Sequence, residues 1–323
     1  MSTEFCIKLQ RIINLIVVDT KINKIGMETK YNMQYKNEKN SKQRNIYHNI
    51  QHNINYVQAR TDLALENREK FEGTNTEVQG VILREKQLTH DIKLTKVDIV
   101  NNEGAKAMNK PVGTYITIES ENLLSNDIEF LRKMKRVLAK EIKSMLPKTK
   151  NANILVVGLG NREVTYDALG PIAVSYVEIT KHINDYFGKE EDENNVSALV
   201  PGVMAQSGME AASVIKGVVK QTKPDAIIVI DALAARSIDR LNTTIQLTNT
   251  GINPGSGVGN HRNAIDTESM GTHVLAIGIP TIIDASNLSE GEKEMVLTLK
   301  DIDENIVMLG KLIAKSINLA MIS

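Results

Sequence analysis

Two aspartates stand where an α/β sheet could use them for acid–base chemistry. Asp167 follows the run Asn153-Ile-Leu-Val-Val-Gly-Leu-Gly-Asn161, and Asp231 closes the run Ala226-Ile-Ile-Val-Ile-Asp231. Short, unbroken β-branched runs read as strands buried on both faces, as in a parallel sheet. Ligands bind such sheets outside the carboxyl ends of the strands. Two carboxylates delivered there from different strands could share a proton and act as acid and base. Each also has a plain structural reading. Asp167 could N-cap a helix beginning at Ala168 or Leu169, and Asp231 could cap a turn at Ala232. Both precede the dipeptide Ala-Leu and both close a buried strand, so their joint occurrence favours a common site.

Other chemistries find weaker support. Gly158-Leu-Gly160 resembles the start of a dinucleotide fingerprint, but Glu163 occupies the place of the third glycine. These glycines are better read as letting the backbone turn tightly beneath a substrate. Ser256 sits in Pro254-Gly-Ser-Gly257, which lacks the first glycine of a nucleophile elbow. Cys6 lies in the N-terminal stretch that reads as a poorly ordered extension, a poor place for a nucleophile that needs a fixed base. His261, in the glycine-rich stretch Gly257-Val-Gly-Asn-His-Arg-Asn263, is the best-placed histidine; it reads either as part of a binding loop or as an exposed surface residue. His273 opens an apolar run and reads as a satisfied core residue.

The elements that must position the aspartates follow from hydrophobic periodicity. Val78–Leu83, Ile92–Val100 and Tyr115–Ile118 read as strands, the second alternating as a half-exposed antiparallel strand does. Asn101-Asn-Glu-Gly104 and Lys110-Pro-Val-Gly113 read as turns. A helix capped by Asn126 and Glu129 carries the stripe Ile128, Leu131, Lys135, Leu138, Ile142 and Met145, and Pro147 stops it. After the first aspartate the spacing predicts one helix from Pro171 with Ile172, Tyr176, Ile179 and Ile183 on one face. An acidic loop at 189–195, a helix over 210–221, a buried strand Thr272–Ile279 ending at Pro280, and a long amphipathic helix over 302–317 complete the chain. The fold class is therefore α/β: a three-layer sandwich around a central, largely parallel sheet, with an antiparallel strand region on its N-terminal side.

The bulk numbers exclude more than they identify. Lys+Arg 39 balances Asp+Glu 39 over 323 residues, so no overall field favours nucleic acid. A single cysteine rules out a disulfide framework and fits a reducing, cytoplasmic compartment. The apolar run Ile12–Val18 is too short to span a bilayer. Residues 1–59 are crowded with Asn, Lys, Gln and His and read as a poorly ordered extension; residues 60–323 read as the globular domain.

Several segments go beyond general pattern: Arg60-Thr-Asp-Leu-Ala-Leu-Glu66, Gly158-Leu-Gly-Asn161, Val164-Thr-Tyr-Asp-Ala-Leu-Gly-Pro171, Pro201-Gly-Val-Met-Ala-Gln-Ser-Gly208, Ile230-Asp-Ala-Leu-Ala-Ala-Arg236 and Asn249-Thr-Gly-Ile-Asn-Pro-Gly-Ser-Gly-Val-Gly-Asn260. Together, and in this order, the chain resembles the germination proteases of spore-forming bacteria. The resemblance implies a fold similar to hydrogenase maturation endopeptidases, an aspartic-type endopeptidase acting on small acid-soluble spore proteins, and a homotetramer in the spore core. It implies no cofactor and no resident metal. It assigns catalysis to Asp167 and Asp231. It also implies a zymogen that removes its own propeptide near Ala59, Arg60, Thr61 and Asp62. The lead here is longer than the propeptides usual in the family, which leaves an unusual extension or a start at Met27 or Met33. For substrate binding the candidates are Gly158, Gly160, Asn161, Arg236, Gly255, Gly257 and His261, with Arg236 meeting an acidic side chain. Two other readings stay open: a metal-assisted site using both aspartates and His261, and a ligand-binding module without activity.

Overall fold

The structure, a computed structural model, describes residues 61–69, 78–149, 151–188, 194–253, 263–284 and 296–322. All of these belong to one unit, Ala59–Ala285 with Met295–Ser323. Its strands are β1 (Val81–Thr89), β2 (Ile92–Ile99), β3 (Gly113–Glu119), β4 (Asn153–Gly158), β5 (Asn195–Leu199), β6 (Ala226–Ala235), β7 (Thr244–Thr248), β8 (His273–Asp284) and β9 (Val296–Leu297). Its helices are α1 (Ala64–Glu69), α2 (Asn102–Met108), α3 (Ile128–Met145), α4 (Leu169–Val174), α5 (Lys181–Phe187), α6 (Met204–Ser207), α7 (Ala211–Thr222), α8 (Thr267–Met270) and α9 (Ile302–Met321).

One sheet in the order β1-β2-β3-β7-β8-β6-β4-β5 runs through the unit, with β9 paired to β8. Strands β5, β4, β6 and β8 are mutually parallel, whereas β1, β2, β3 and β7 join antiparallel and meet β8 through β7. The N-terminal strands thus extend the central sheet. Alternate residues of each strand serve different faces. Ala226, Ile228 and Ile230 of β6 pack with α3, α4 and α9, while Ile227 and Val229 pack with α7 and α8. The sheet is the middle of three layers.

Several elements depart from the periodicity. The Asn101 turn opens into α2, with the Asn101 side chain accepting from Gly104 N–H at 2.9 Å as N-cap. The cap of α3 is Asp127, whose carboxylate accepts from Glu129 and Phe130 N–H, so the buried stripe is Phe130, Met134, Leu138, Ala139 and Ile142. Ile128 is left 72% exposed. The expected helix across 172–183 breaks into α4 and α5. Thr180 lies between them, its N–H bonded to Val196 O and its hydroxyl donating to Asn194 O and accepting from Val196 N–H. Those bonds tie the chain to β5, a short edge strand the periodicity had not marked.

Strand β7 also carries no strong sequence signal, yet it joins the two halves of the sheet. Strand β8 does not stop at Pro280. Pro280 pairs with Leu233, and the register shifts immediately after, so a bulge absorbs the missing N–H. Likewise β6 does not end at Asp231 but runs four residues further to Ala235. His273 is satisfied, its Nε2 2.8 Å from Met145 O. Among the described residues no helix is long and apolar enough to cross a membrane.

Candidate active site

Strand β4 leaves the sheet at Gly158, and Leu159 N–H still reaches Ile230 O at 2.8 Å. This bond holds the exit of β4 beside the residue that precedes Asp231. The chain then turns at Gly160, whose φ of +109° is a conformation that side-chain-bearing residues rarely adopt. A Cβ on Gly160 would lie 1.9 Å from the Asp167 carbonyl oxygen and 3.1 Å from Asp167 Oδ1. Glycine is therefore required there to let Asp167 fold back over the strand exit.

Asp167 ends a 3-10 turn, Thr165–Asp167, that packs against β6 and β8. Thr281 of β8 fixes this turn by donating its hydroxyl to Tyr166 O at 2.7 Å. The Asp167 carboxylate accepts from Asn161 N–H at 2.8 Å. It does not cap α4, whose N-cap is Ala168 without any side-chain bond. The capping explanation for Asp167 is thereby replaced by a bond back across the turn.

Asp231 lies inside β6, opposite Gly278 of β8, and is 6% exposed. By alternation it shares the face of Ile227 and Val229. Its Oδ1 accepts from Ala232 N–H at 2.9 Å, and no helix follows that it could cap. A carboxylate inside an otherwise apolar strand loses hydration that packing cannot replace. The two aspartates thus reach the same end of the sheet, one from the turn after β4 and one from within the neighbouring β6.

The other candidate residues separate. Gly158 is buried, and a Cβ there would strike Gly170 O at 2.3 Å, so it serves the packing of α4 on β4 and offers no surface to a substrate. Gly160 and Asn161 do border Asp167. Arg236, the expected partner of an acidic substrate, donates from Nη1 to Glu66 O at 3.2 Å and so helps tie down α1. Ala59, Arg60, Gly255, Gly257 and His261 lie outside the described residues.

Residues 61–67 form a strap along the far half of β6. Asp62 N–H donates to Ala234 O, and Ala234 N–H donates back to Asp62 Oδ2, both at 2.9 Å. The Asp62 carbonyl accepts from Lys110 Nζ at 2.9 Å and Gln246 Nε2 at 3.1 Å, while Gln246 Oε1 accepts from Ala64 N–H. Burial pushes the Lys110 ammonium below its ordinary range, opposed by the Asp62 charge. Leu63 and Ala64 are fully buried. Glu66 is buried too, its two oxygens accepting from Arg236 N–H at 2.7 Å and Ser237 N–H at 3.0 Å. Lys110, Gln246 and Glu66 were not singled out by residue chemistry, because only the fold brings them to this strap. Glu66 does stand inside a motif that carried the resemblance.

Residues 57–292 match the germination protease family model. The chain belongs to the germination protease family. The germination protease of Caldanaerobacter subterraneus is 48% identical over 242 residues, covering 74% of this chain and 73% of the relative. That of Clostridium perfringens is 42% identical over 241 residues, covering 74% of each. Membership makes the chain a peptidase with a role in spore germination. A nickel–iron hydrogenase maturation protease from Thermococcus kodakarensis aligns at 18% identity and a TM-score of 0.34, covering 55% of this chain and 98% of its own, a likeness too slight to carry an argument.

Proposed function

We propose that the chain is an aspartic-type endopeptidase in which Asp167 and Asp231 jointly activate a water for attack on a peptide bond of small acid-soluble spore proteins. The observation that supports this reading is that the backbone places Asp167, in the turn after β4, and buried Asp231, just past Ile230 of β6, at the same end of neighbouring parallel strands in a chain of the germination protease family. Two like charges at close range do not both ionise cheaply, so the pair holds one proton between them. The ionised member takes a proton from water, and the protonated member donates to the scissile amide as the C–N bond breaks. No covalent intermediate is needed. The backbone at Gly160, together with Gly255, Gly257 and His261, would line an extended substrate. The Asn161 N–H and C=O are engaged by Asp167 and Val164, so that residue would border the substrate through its side chain.

The chain is made as a zymogen and processed near Ala59–Asp62. Two facts support this: Asp62 pairs with Ala234 three residues beyond Asp231, and the family model begins only at residue 57. Residues 1–59 would act as the removable lead and the remainder as the catalytic domain of a homotetramer. The active protein would work in the spore core.

Asp167→Asn and Asp231→Asn, each checked for unchanged thermal unfolding, test the pair with a small acid-soluble spore protein as substrate. Each should lower the cleavage rate by about 10²–10⁴-fold, the usual contribution of a positioned acid or base. Each should also leave the lead uncleaved. A folded variant of either kind with full activity would sink the pair. Activity that survives exhaustive chelation is expected as well, and its loss on chelation would favour the metal-assisted reading with His261.

A further inference from the structure

A second loop reaches the turn that holds Asp167. In the segment Pro201–Gly208, leading into and through α6, Gln206 extends its side chain across to Asn161: Gln206 Nε2 donates to Asn161 Oδ1 at 2.7 Å. Both amides have their orientation fixed by a backbone donor. Val203 N–H donates to Gln206 Oε1 at 3.2 Å, which turns Nε2 outward to Asn161. Glu163 N–H donates to Asn161 Oδ1 at 3.0 Å, which presents that oxygen to Gln206. Asn161 in turn donates its own N–H to the Asp167 carboxylate at 2.8 Å. The result is a continuous link Val203–Gln206–Asn161–Asp167 joined by these hydrogen bonds.

Glycines keep this chain open at both ends. Gly202 has φ +70°, and a Cβ there would stand 2.9 Å from Gln206 Oε1; Gly160 makes room for Asp167 as described. Gln206 itself is exposed, and an exposed glutamine ordinarily samples many rotamers. Here both ends of its amide are engaged. The function derived so far uses neither Gln206 nor α6.

We infer that Gln206 is a positioning residue for the reaction: it holds Asn161, and through the Asn161 N–H it fixes where the Asp167 carboxylate points. This rests on Asp167 being one of the two reacting carboxylates. Displacing a catalytic group by about 1 Å can cost on the order of 10²-fold in rate. Such a loss falls on the chemical step and leaves substrate affinity alone.

The test uses Gln206→Glu and Gln206→Met in the full chain. The first keeps an acceptor for Val203 N–H but removes the donor to Asn161 Oδ1; the second keeps the length and removes both bonds. Each should lower kcat about tenfold to a hundredfold with KM within twofold of the parent and an unchanged thermal midpoint. Parental kcat in Gln206→Glu, or a loss confined to KM, overturns the inference. Asp167→Asn separates the two readings. If it is folded and active, the assignment of Asp167 fails; if it is inactive while Gln206→Glu keeps parental kcat, only the role of Gln206 fails.

Discussion

At the scale of single residues, the site depends on a few atoms that have no alternative position. Gly160 combines φ +109° with an Asp167 oxygen 1.9 Å from where a Cβ would sit. Gly160→Ala should therefore cost about 1–3 kcal/mol in backbone strain alone and displace Asp167 further through the clash. Peptidase activity should fall far more than the urea midpoint; equal activity with an intact fold would show that Asp167 does not depend on this turn. Tyr115 offers a pH-dependent case. Burial pushes its phenol up to about 12, with hydrogen bonds from Thr250 and Thr248 opposing the shift. A group whose folded value is raised contributes stability that is complete below its unfolded value near 10 and lost as pH rises toward 12. Across that window the slope from this residue approaches about 1.4 kcal/mol per pH unit. Tyr115→Phe should flatten the alkaline fall in stability, read by denaturant titrations between pH 9 and about 12.

At the scale of elements, β6 is the piece on which the others converge. Its first half is an ordinary parallel strand between β4 and β8; its second half carries Asp231, the bulge against Pro280 and the Thr61–Asn67 strap. Glu66 holds the strap through Arg236 and Ser237 N–H, with Arg240 Nε 3.7 Å from its carboxylate. Removing that carboxylate takes away the oxygens that accept from the Arg236 and Ser237 N–H groups and one of the two carboxylates facing Arg240, which keeps its bond to Glu119. Glu66→Ala should destabilise the fold by roughly 3–5 kcal/mol, measured as a lower urea midpoint. A change below about 1 kcal/mol would mean that water replaces the carboxylate at no cost. Periodicity read the core strands well, since Ile154–Gly158 of β4, Ala226–Ile230 of β6 and Val274–Ile279 of β8 are unbroken apolar runs. It read the ends poorly. Pro280 and Asp231 both look like terminators in sequence, yet a bulge accommodates the first and the strap extends the strand beyond the second.

At the scale of the whole molecule, one sheet links antiparallel and parallel halves through β7, and the strap binds to both β6 and β7. Every described anchor of the strap lies at or after Thr61. A chain cut before Thr61 should keep the thermal midpoint of the domain, whereas one lacking residues 61–67 should lose cooperative unfolding; scanning calorimetry of the two decides it. The sequence by itself determined the α/β class, the long C-terminal helix and the family, and it singled out the two aspartates as candidates. These properties reside in local hydrophobic period and in contiguous motifs, which a chain carries before it folds. Only the tertiary structure decided that Asp231 sits within a strand, that Asp167 bonds back to Asn161 while α4 takes Ala168 as its N-cap, that Arg236 is tied to Glu66, and that Gln206 reaches the turn after β4. Each of these joins residues from different segments, and side-chain partners across a sheet or between loops are set by register and bulges, which no local pattern encodes.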